Sequence, residues 1–383
     1  MARPRILPSW ATDANFTATE ITDPHHGTPT KVEPSAGQKA NGFEPRYRVP
    51  AQIINWVIAN LTEWLGYFAP VPLANWTTRQ ADAGSSPTSV TAVASRAWAG
   101  ERDAFMAILD AGANHIAQRS PAGDGWKDTG SGITGALFDV EWMGGSVNRW
   151  ILVGAAGAIW YRAGNATDAT AWSSTGPGSG DDFYAVAVND DATLAVAVGE
   201  NGRIYTSTDG ATWTSRTSGT TADLLGVAYG GGIWVAVGNA AGDDFVLTSS
   251  NGTTWTSAGL GSASFNNVVY DAAHGVFVVT SGTSVYQVST AGVLSTVVGT
   301  MPSDVTALAT DGNGTIIAID RTSLFVSTDA GETWSDHVVI AQGTGTTSTT
   351  LFYDATWSAS LGCFVAVGTD DGAPLIAQSM RTR

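Results

Sequence analysis

The chain has 383 residues, of which 43% are hydrophobic, only 14% are charged and 45 are glycine, a composition that excludes disorder over most of its length and suits many short strands joined by tight turns. A net charge of −16 sets long-range repulsion against nucleic acid and anionic membrane as partners. The single cysteine, Cys363, excludes an intrachain disulfide and lies in the apolar run Cys363-Phe364-Val365-Ala366-Val367, which reads as a buried thiol.

The first 50 residues stand apart. They hold six Lys or Arg against five Asp or Glu, so twelve basic and twenty-nine acidic residues remain in the body, which carries the whole imbalance. Residues 1–49 are rich in Pro, Thr and Gly without a sustained period and read as extended chain that needs a partner surface for order. The periodicity then changes. Pro50 suits a first helical position, and Ile54, Val57, Leu61, Trp64 and Phe68 recur at spacings of three and four until Pro70 ends the run. This stripe predicts one amphipathic helix with more apolar surface than it can hide alone, so it packs on neighbouring copies, a trimer being favoured, or on the rest of the chain. The helical stretch is too short and too interrupted by Asn55, Asn60 and Glu63 to span a bilayer, and no signal peptide is expected.

From Leu73 to the C-terminus a four-strand unit repeats. Its best-formed copy runs Tyr184 to Val188, Leu194 to Gly199, Arg203 to Thr206 and Thr212 to Thr214. The second strand of each unit recurs at Met106–Leu109, Ile151–Val153, Val196–Val198, Val235–Val237, Phe277–Val279, Ile316–Ile319 and Val365–Val367, which predicts seven blades of an all-β propeller. The seventh unit runs out of chain after its third strand. Asn75-Trp76-Thr77-Thr78-Arg79 matches Thr212-Trp213-Thr214-Ser215-Arg216, so a strand at 73–79, with Trp76, is expected to complete that blade and close the ring. The domains are then 1–71, an arm and helix, and 72–383, the propeller. Because strands alternate in direction, the head is expected on the face of the third-to-fourth turns, leaving the opposite face free.

Between third and fourth strands lies a polar turn, Ser207-Thr208-Asp209-Gly210-Ala211-Thr212-Trp213, with relatives at Ser249 to Trp255 and Ser327 to Trp334, the last fitting S-x-D-x-G-x-T-W in full. Asp209, Asn251 and Asp329 can each accept hydrogen bonds from their own turn, glycine supplies a positive φ, and Trp213, Trp255 and Trp334 cover the hairpin. The pattern resembles the Asp-box, or BNR, repeat of β-propellers, found in sialidases and in many propellers without enzymatic activity, and it implies a structural turn.

Residues Gly42 to Phe68 are similar to the N-terminal, virion-attaching part of bacteriophage tail fibres and related tail proteins: Gly42-Phe43-x-Pro45, then Pro50-Ala51, then Asn55-Trp56 inside an amphipathic helix. Trp10, in Pro8-Ser9-Trp10-Ala11, fits the same style. The resemblance implies a virion protein that docks on other phage tail proteins through residues 1–71, with Trp10, Phe43, Ile54, Trp56, Val57, Leu61, Trp64 and Phe68 serving attachment or oligomerisation, and a propeller that meets a host surface receptor or glycan.

Catalysis is not expected. A sialidase needs an arginine cluster, a Tyr–Glu pair and an acidic proton donor at the propeller centre, yet residues 72–383 have four glutamates, Glu101, Glu141, Glu200 and Glu332, and few arginines placed for innermost strands. Beyond the adjacent His25 and His26, the histidines show no metal-ligand spacing. On the free face, Asp181, Asp182, Glu200, Asp243, Asp244, Asp370 and Asp371 are expected in loops, either as solvated turns or as holders of calcium or of a basic or polyhydroxylated ligand. No cofactor is expected. The alternatives to a receptor-binding fibre are a structural decoration or connector of the virion, a sialidase-like glycan hydrolase, and an assembly factor similar to photosystem-associated propellers, which lack such a head.

Overall fold

The computed structural model describes residues 76–379 except 80–88, 99–100, 111–114, 121–126, 129–132, 134, 165–171, 179, 241–242, 262–264, 338–349, 360–361 and 371–372. The helix expected from Pro50 and every attachment residue named above lie outside the described residues.

The described chain is all-β. It opens with β1 (Trp76–Arg79) and then forms six consecutive sheets. The first holds β2 (Ser89–Trp98), β3 (Glu101–Asp110), β4 (His115–Ser120) and β5 (Lys127–Asp128), and the second β6 (Leu137–Met143), β7 (Arg149–Gly154), β8 (Ile159–Ala163) and β9 (Ser173–Ser174). The third holds β10 (Phe183–Val188), β11 (Ala195–Gly199), β12 (Ile204–Ser207) and β13 (Thr214–Arg216), and the fourth β14 (Asp223–Gly230), β15 (Ile233–Ala240), β16 (Asp243–Ser249) and β17 (Thr256–Gly261). The fifth holds β18 (Asn267–Asp271), β19 (Val276–Ser281), β20 (Ser284–Ser289) and β21 (Gly299–Thr300), and the sixth β22 (Ala307–Thr310), β23 (Ile316–Ile319), β24 (Leu324–Ser327) and β25 (Ser335–His337). The last sheet joins the two ends of the described chain. There β26 (Thr350–Ser358), β27 (Cys363–Asp370) and β28 (Ala373–Ser379) are completed by β1, with Trp76 opposite Ser379 and Arg79 opposite Ile376.

Among the described residues this makes seven antiparallel sheets of four strands. Each innermost strand packs beside the next, β2 by β6, β6 by β10, and so on until β26 returns to β2, which is a β-propeller. The core is a series of layers between neighbouring sheets. Ala92, Met106, Leu137 and Leu152 fill the first, Ile151, Val153, Phe183 and Ala197 the second, and Val198, Leu224 and Trp234 the third. The second strands are apolar on both faces because each lies between two such layers. Ala195 to Gly199 is buried at every position for this reason.

Several expectations need correction. The fourth-strand tryptophans precede their strands: Trp213, Trp255 and Trp334 sit in the turn, and β13, β17 and β25 begin one residue later. Their rings cover the hairpin from the turn because the preceding residues bond to the Asp or Asn side chain. Asp243 and Asp244 are not loop residues. They open β16, where their backbones pair with Ala240 and Asn239, because the ladder runs almost to the hairpin tip. Asp370 likewise ends β27 opposite Ala373.

Candidate functional site at the axial rim

Five innermost strands share one irregularity. The ladder to the second strand skips Thr91, Phe138, Tyr184, Leu225 and Tyr353, each of which is an extra residue in a β-bulge. Opposite four of the bulges stands a glycine, Gly154, Gly199, Gly238 or Gly368, whose Cα lies so near the innermost backbone that a Cβ would fall about 2 Å from a carbonyl oxygen. Bulges re-aim side chains, and the effect here is plain. The flanking Leu137, Phe183, Leu224 and Phe352 are buried, whereas the bulged residues are all at least partly exposed and Phe138 reaches 37%. Phe138 and Tyr184 form a tilted aromatic pair at 5.7 Å. The bulges lie at the end of each innermost strand where the chain arrives from the preceding sheet, so these residues ring one end of the axis.

The residue after the bulge carries a second device. Asp354 Oδ2 accepts from Val93 N of the next sheet at 2.8 Å while its Oδ1 accepts from Ala355 N at 2.7 Å. Asp139 repeats this, with Oδ2 on Val186 N at 2.8 Å and Oδ1 on Val140 N at 2.7 Å. The corresponding Asn267 donates with its amide to Val305 O, two residues ahead of β22 in the next sheet, at 3.2 Å. These side chains clamp adjacent innermost strands through edge groups that no ladder satisfies. Asp354 closes the seam between the last sheet and the first, where Ser95 Oγ also donates to Trp357 O at 2.5 Å.

Glu141, two residues into the strand from Asp139, accepts from Trp142 N at 2.7 Å. Burial pushes Glu141 up to about 7, helped by the charge of Asp354, and pushes Asp354 itself to about 7. Asp139 rises well above the usual carboxylate range through burial and then the nearby Asp354 charge. All three are enclosed by protein yet partly reached by water at the axis. Burial thus disfavours the charged form of all three, and geometrically the arrangement holds the ring together.

A second acidic group borders the aromatic pair. Asp182 Oδ1 accepts from Ala156 N at 2.7 Å and Asp223 Oδ1 from Asn201 N at 2.9 Å, both donors being left-handed residues in the second-to-third turn of the preceding sheet. Glu200 accepts from Asp182 N at 3.0 Å, and Asp181 holds Arg203 at 2.7 Å and Asn201 Nδ2 at 2.9 Å. Asn201 and Arg203 together lower Asp181 below the ordinary carboxylate value. The Tyr184 hydroxyl is pushed up to about 12, first by burial and then by Glu200, Asp182 and Asp223. The structure thus brings Asp181, Asp182 and Glu200 together and adds Asp223 and Tyr184, which sequence reasoning missed. Asp243, Asp244 and Asp370 lie on other sheets with side chains outside the described residues, as does Asp371 altogether. No group of three or more His, Cys, Asp or Glu side chains converges for a metal among the described residues.

The third-to-fourth turns face away from this rim and are structural. Asp209 Oδ1 accepts from Ala211 N at 2.8 Å, Thr212 N at 2.6 Å and Ser207 Oγ at 3.0 Å. Asn251 and Asp329 repeat the pattern with Thr254 N and Thr333 N at 2.9 Å. Partial burial would raise Asp209, but the Thr212 and Ala211 amides outweigh it and bring the carboxyl down to about 2. Two of the turns also latch onto the preceding sheet: Arg149 donates to Asp209 O, and Gln287 Nε2 donates to Ala330 O at 3.0 Å. Trp255 and Trp334 donate to Gly252 O and Gly331 O at 3.1 and 3.0 Å, whereas the buried Trp213 Nε1 finds no acceptor among the described residues.

No family model and no curated protein matches the chain. Solved structures do. YCF48 bound to D1 peptide is similar with TM-score 0.58 at 15% identity, over 80% of this chain and 96% of that one. YCF48 from Cyanidioschyzon merolae gives 0.55 at 14%, over 80% and 99%, and the WD40 propeller domain of Doa1 gives 0.60 at 11%, over 80% and 97%. At such identities the likeness establishes the β-propeller fold alone.

Proposed function

We propose that this chain is a bacteriophage virion protein, a tail fibre or tail-tip appendage, whose propeller binds host receptor through the axial rim and performs no catalysis. The observation that carries the binding role is the rim itself: five bulges turn Thr91, Phe138, Tyr184, Leu225 and Tyr353 out of the sheet packing at one end of the axis. A bulge repeated in five sheets costs ladder hydrogen bonds and yields exposed side chains, an exchange that serves contact rather than stability. Virion placement rests on the fibre-like segment Gly42 to Phe68, and a trimer on the apolar stripe Ile54 to Phe68. The third-to-fourth turns act as Asp-boxes in their structural sense. A propeller similar in fold, YCF48, has been solved with a peptide bound, which is compatible with a peptide-binding rim. Antibody against the chain should label phage particles at the tail in electron micrographs, and particles without label would refute the placement.

A glycan hydrolase is the second reading, because Glu141 and Asp354 are raised to about 7, a range suited to general acid chemistry. Against it, both oxygens of Asp354 already accept backbone amides. Turnover of aryl glycosides by the parent that Glu141→Gln abolishes would establish hydrolysis over the binding role.

A further inference from the structure

Phe138, Val293 and Val297 are the large hydrophobic side chains that stand notably exposed among the described residues, and Phe138 is the one at the axial rim. Its partner Tyr184 lies 5.7 Å away and is surrounded by carboxylates: Glu200, Asp182 and Asp223 are the charged groups that act on its hydroxyl. Beside these carboxylates Arg203 is held by Asp181 at 2.7 Å, and at the same end of the axis Arg321 stands in the second-to-third turn of the sixth sheet, its carbonyl accepting from Phe352 N at 2.9 Å. An aromatic pair bordered by this much negative charge, in a chain of net charge −16, has a marked preference in what it seats.

Carboxylates accept hydrogen bonds and, when ionised, donate none, so the complementary group is one with donors only. Lysine and arginine fit that description, and sugar hydroxyls, which need donors as well as acceptors, fit it less well. The faces of Phe138 and Tyr184 add attraction for a cation that a neutral ligand does not gain. A metal ion would need converging oxygen ligands, and none converge among the described residues.

We propose that the axial rim seats a lysine or arginine side chain from an exposed segment of the receptor protein, its cationic head on the Phe138–Tyr184 pair and facing Asp182, Glu200 and Asp223. The proposal rests on the rim being the binding surface, and it names what that surface takes.

The test uses the full chain and calorimetric titration with four probes: a Gly-Ser peptide with a central lysine, the same peptide with that lysine acetylated, spermidine, and chitohexaose. The lysine peptide should bind, acetylation should weaken it at least about tenfold, and raising the salt concentration should weaken it further. Phe138→Ala and Tyr184→Ala should each weaken it about fivefold to thirtyfold with an unchanged melting temperature. If Phe138→Ala lowers that temperature, Phe138→Leu keeps the apolar bulk, removes the ring face and carries the same expectation. Equal binding of both peptides, no binding at millimolar peptide, spermidine bound in preference to peptide, or chitohexaose bound in preference to both would each overturn the proposal. Lysine binding by a protein that never labels virions would leave this inference standing and sink the phage role. Virion labelling without lysine binding would do the reverse.

Discussion

Replacing Asp354 with asparagine separates the two things its carboxyl does. Both oxygens accept backbone amides, Val93 N at 2.8 Å and Ala355 N at 2.7 Å, and asparagine has only one oxygen to offer. One amide therefore loses its acceptor and faces an NH2 group, at a cost of about 1–3 kcal/mol. The second effect opposes the first and depends on pH. Burial raises Asp354 from 3.8 to about 7, so the folded state prefers the protonated form. Below pH 4 the carboxyl is protonated in both states and exerts no penalty. Between about pH 4 and pH 7 the unfolded chain ionises while the folded one does not, and stability falls until the folded value is passed. Three units at about 1.4 kcal/mol each set a ceiling on the order of 4 kcal/mol, reduced by the water that reaches the axis. The variant carries no such penalty. Urea unfolding of parent and Asp354→Asn at pH 4.5 and pH 8 should show the variant less stable at the lower pH and the gap closing or reversing at the higher. A gap that is the same at both values would refute the burial of this charge, and no gap at pH 4.5 would refute the clamp.

The remaining predictions concern the fold that presents the rim. Gly199→Ala places a Cβ 1.9 Å from Asp182 O, a clash with backbone that side-chain motion cannot relieve, so denaturant melts should show a loss of about 3 kcal/mol or more. Asp209→Ala leaves the Ala211 and Thr212 amides without their acceptor and should cost about 1–3 kcal/mol at pH 7 in the same assay. Because Asp209 is lowered to about 2, its contribution is full above about pH 4 and lost as pH falls toward 2, so the parent and this variant should converge in acid. Deleting residues 1–70 should leave a soluble propeller, while deleting through Arg79 removes the strand paired with β28 and should cause aggregation by size-exclusion chromatography, equal stability of the two arguing against closure by β1.

The repeat made most of this architecture legible. Runs such as Ala195 to Gly199 declare a strand buried on both faces, and the Ser-x-Asp turns mark where third strands end. The match of Trp76-Thr77-Thr78-Arg79 to Trp213-Thr214-Ser215-Arg216 located the strand that pairs with β28. The axial clamps were harder to see. Asp139 and Asp354 look like interruptions of apolar strands, and their purpose depends on amides of a neighbouring sheet that no local pattern specifies. A signal was nonetheless present: aligning Leu137-Phe138-Asp139 with Phe352-Tyr353-Asp354 and Phe183-Tyr184-Ala185 shows an aromatic residue at the bulge and, twice, an acid after it. Acidic pairs misled because adjacency in sequence says little about ladder length, so Asp243 and Asp244 read as loop residues when they open a strand. The third-to-fourth turn of the fifth sheet, Ser289 to Ser295, has no tryptophan, yet Val293 N donates to Ser289 Oγ at 3.2 Å there and β20 pairs with β21 all the same.

The central claim, that the propeller meets the host through the axial rim, is tested most directly by binding of fluorescently labelled protein to host cells. Parent protein should bind saturably and compete with phage adsorption, whereas the double variant Phe138→Ala, Tyr184→Ala, with the parent's melting temperature, should bind at least tenfold more weakly, by about the sum of two exposed aromatic contacts. Equal binding by parent and double variant, or none by either, would contradict it.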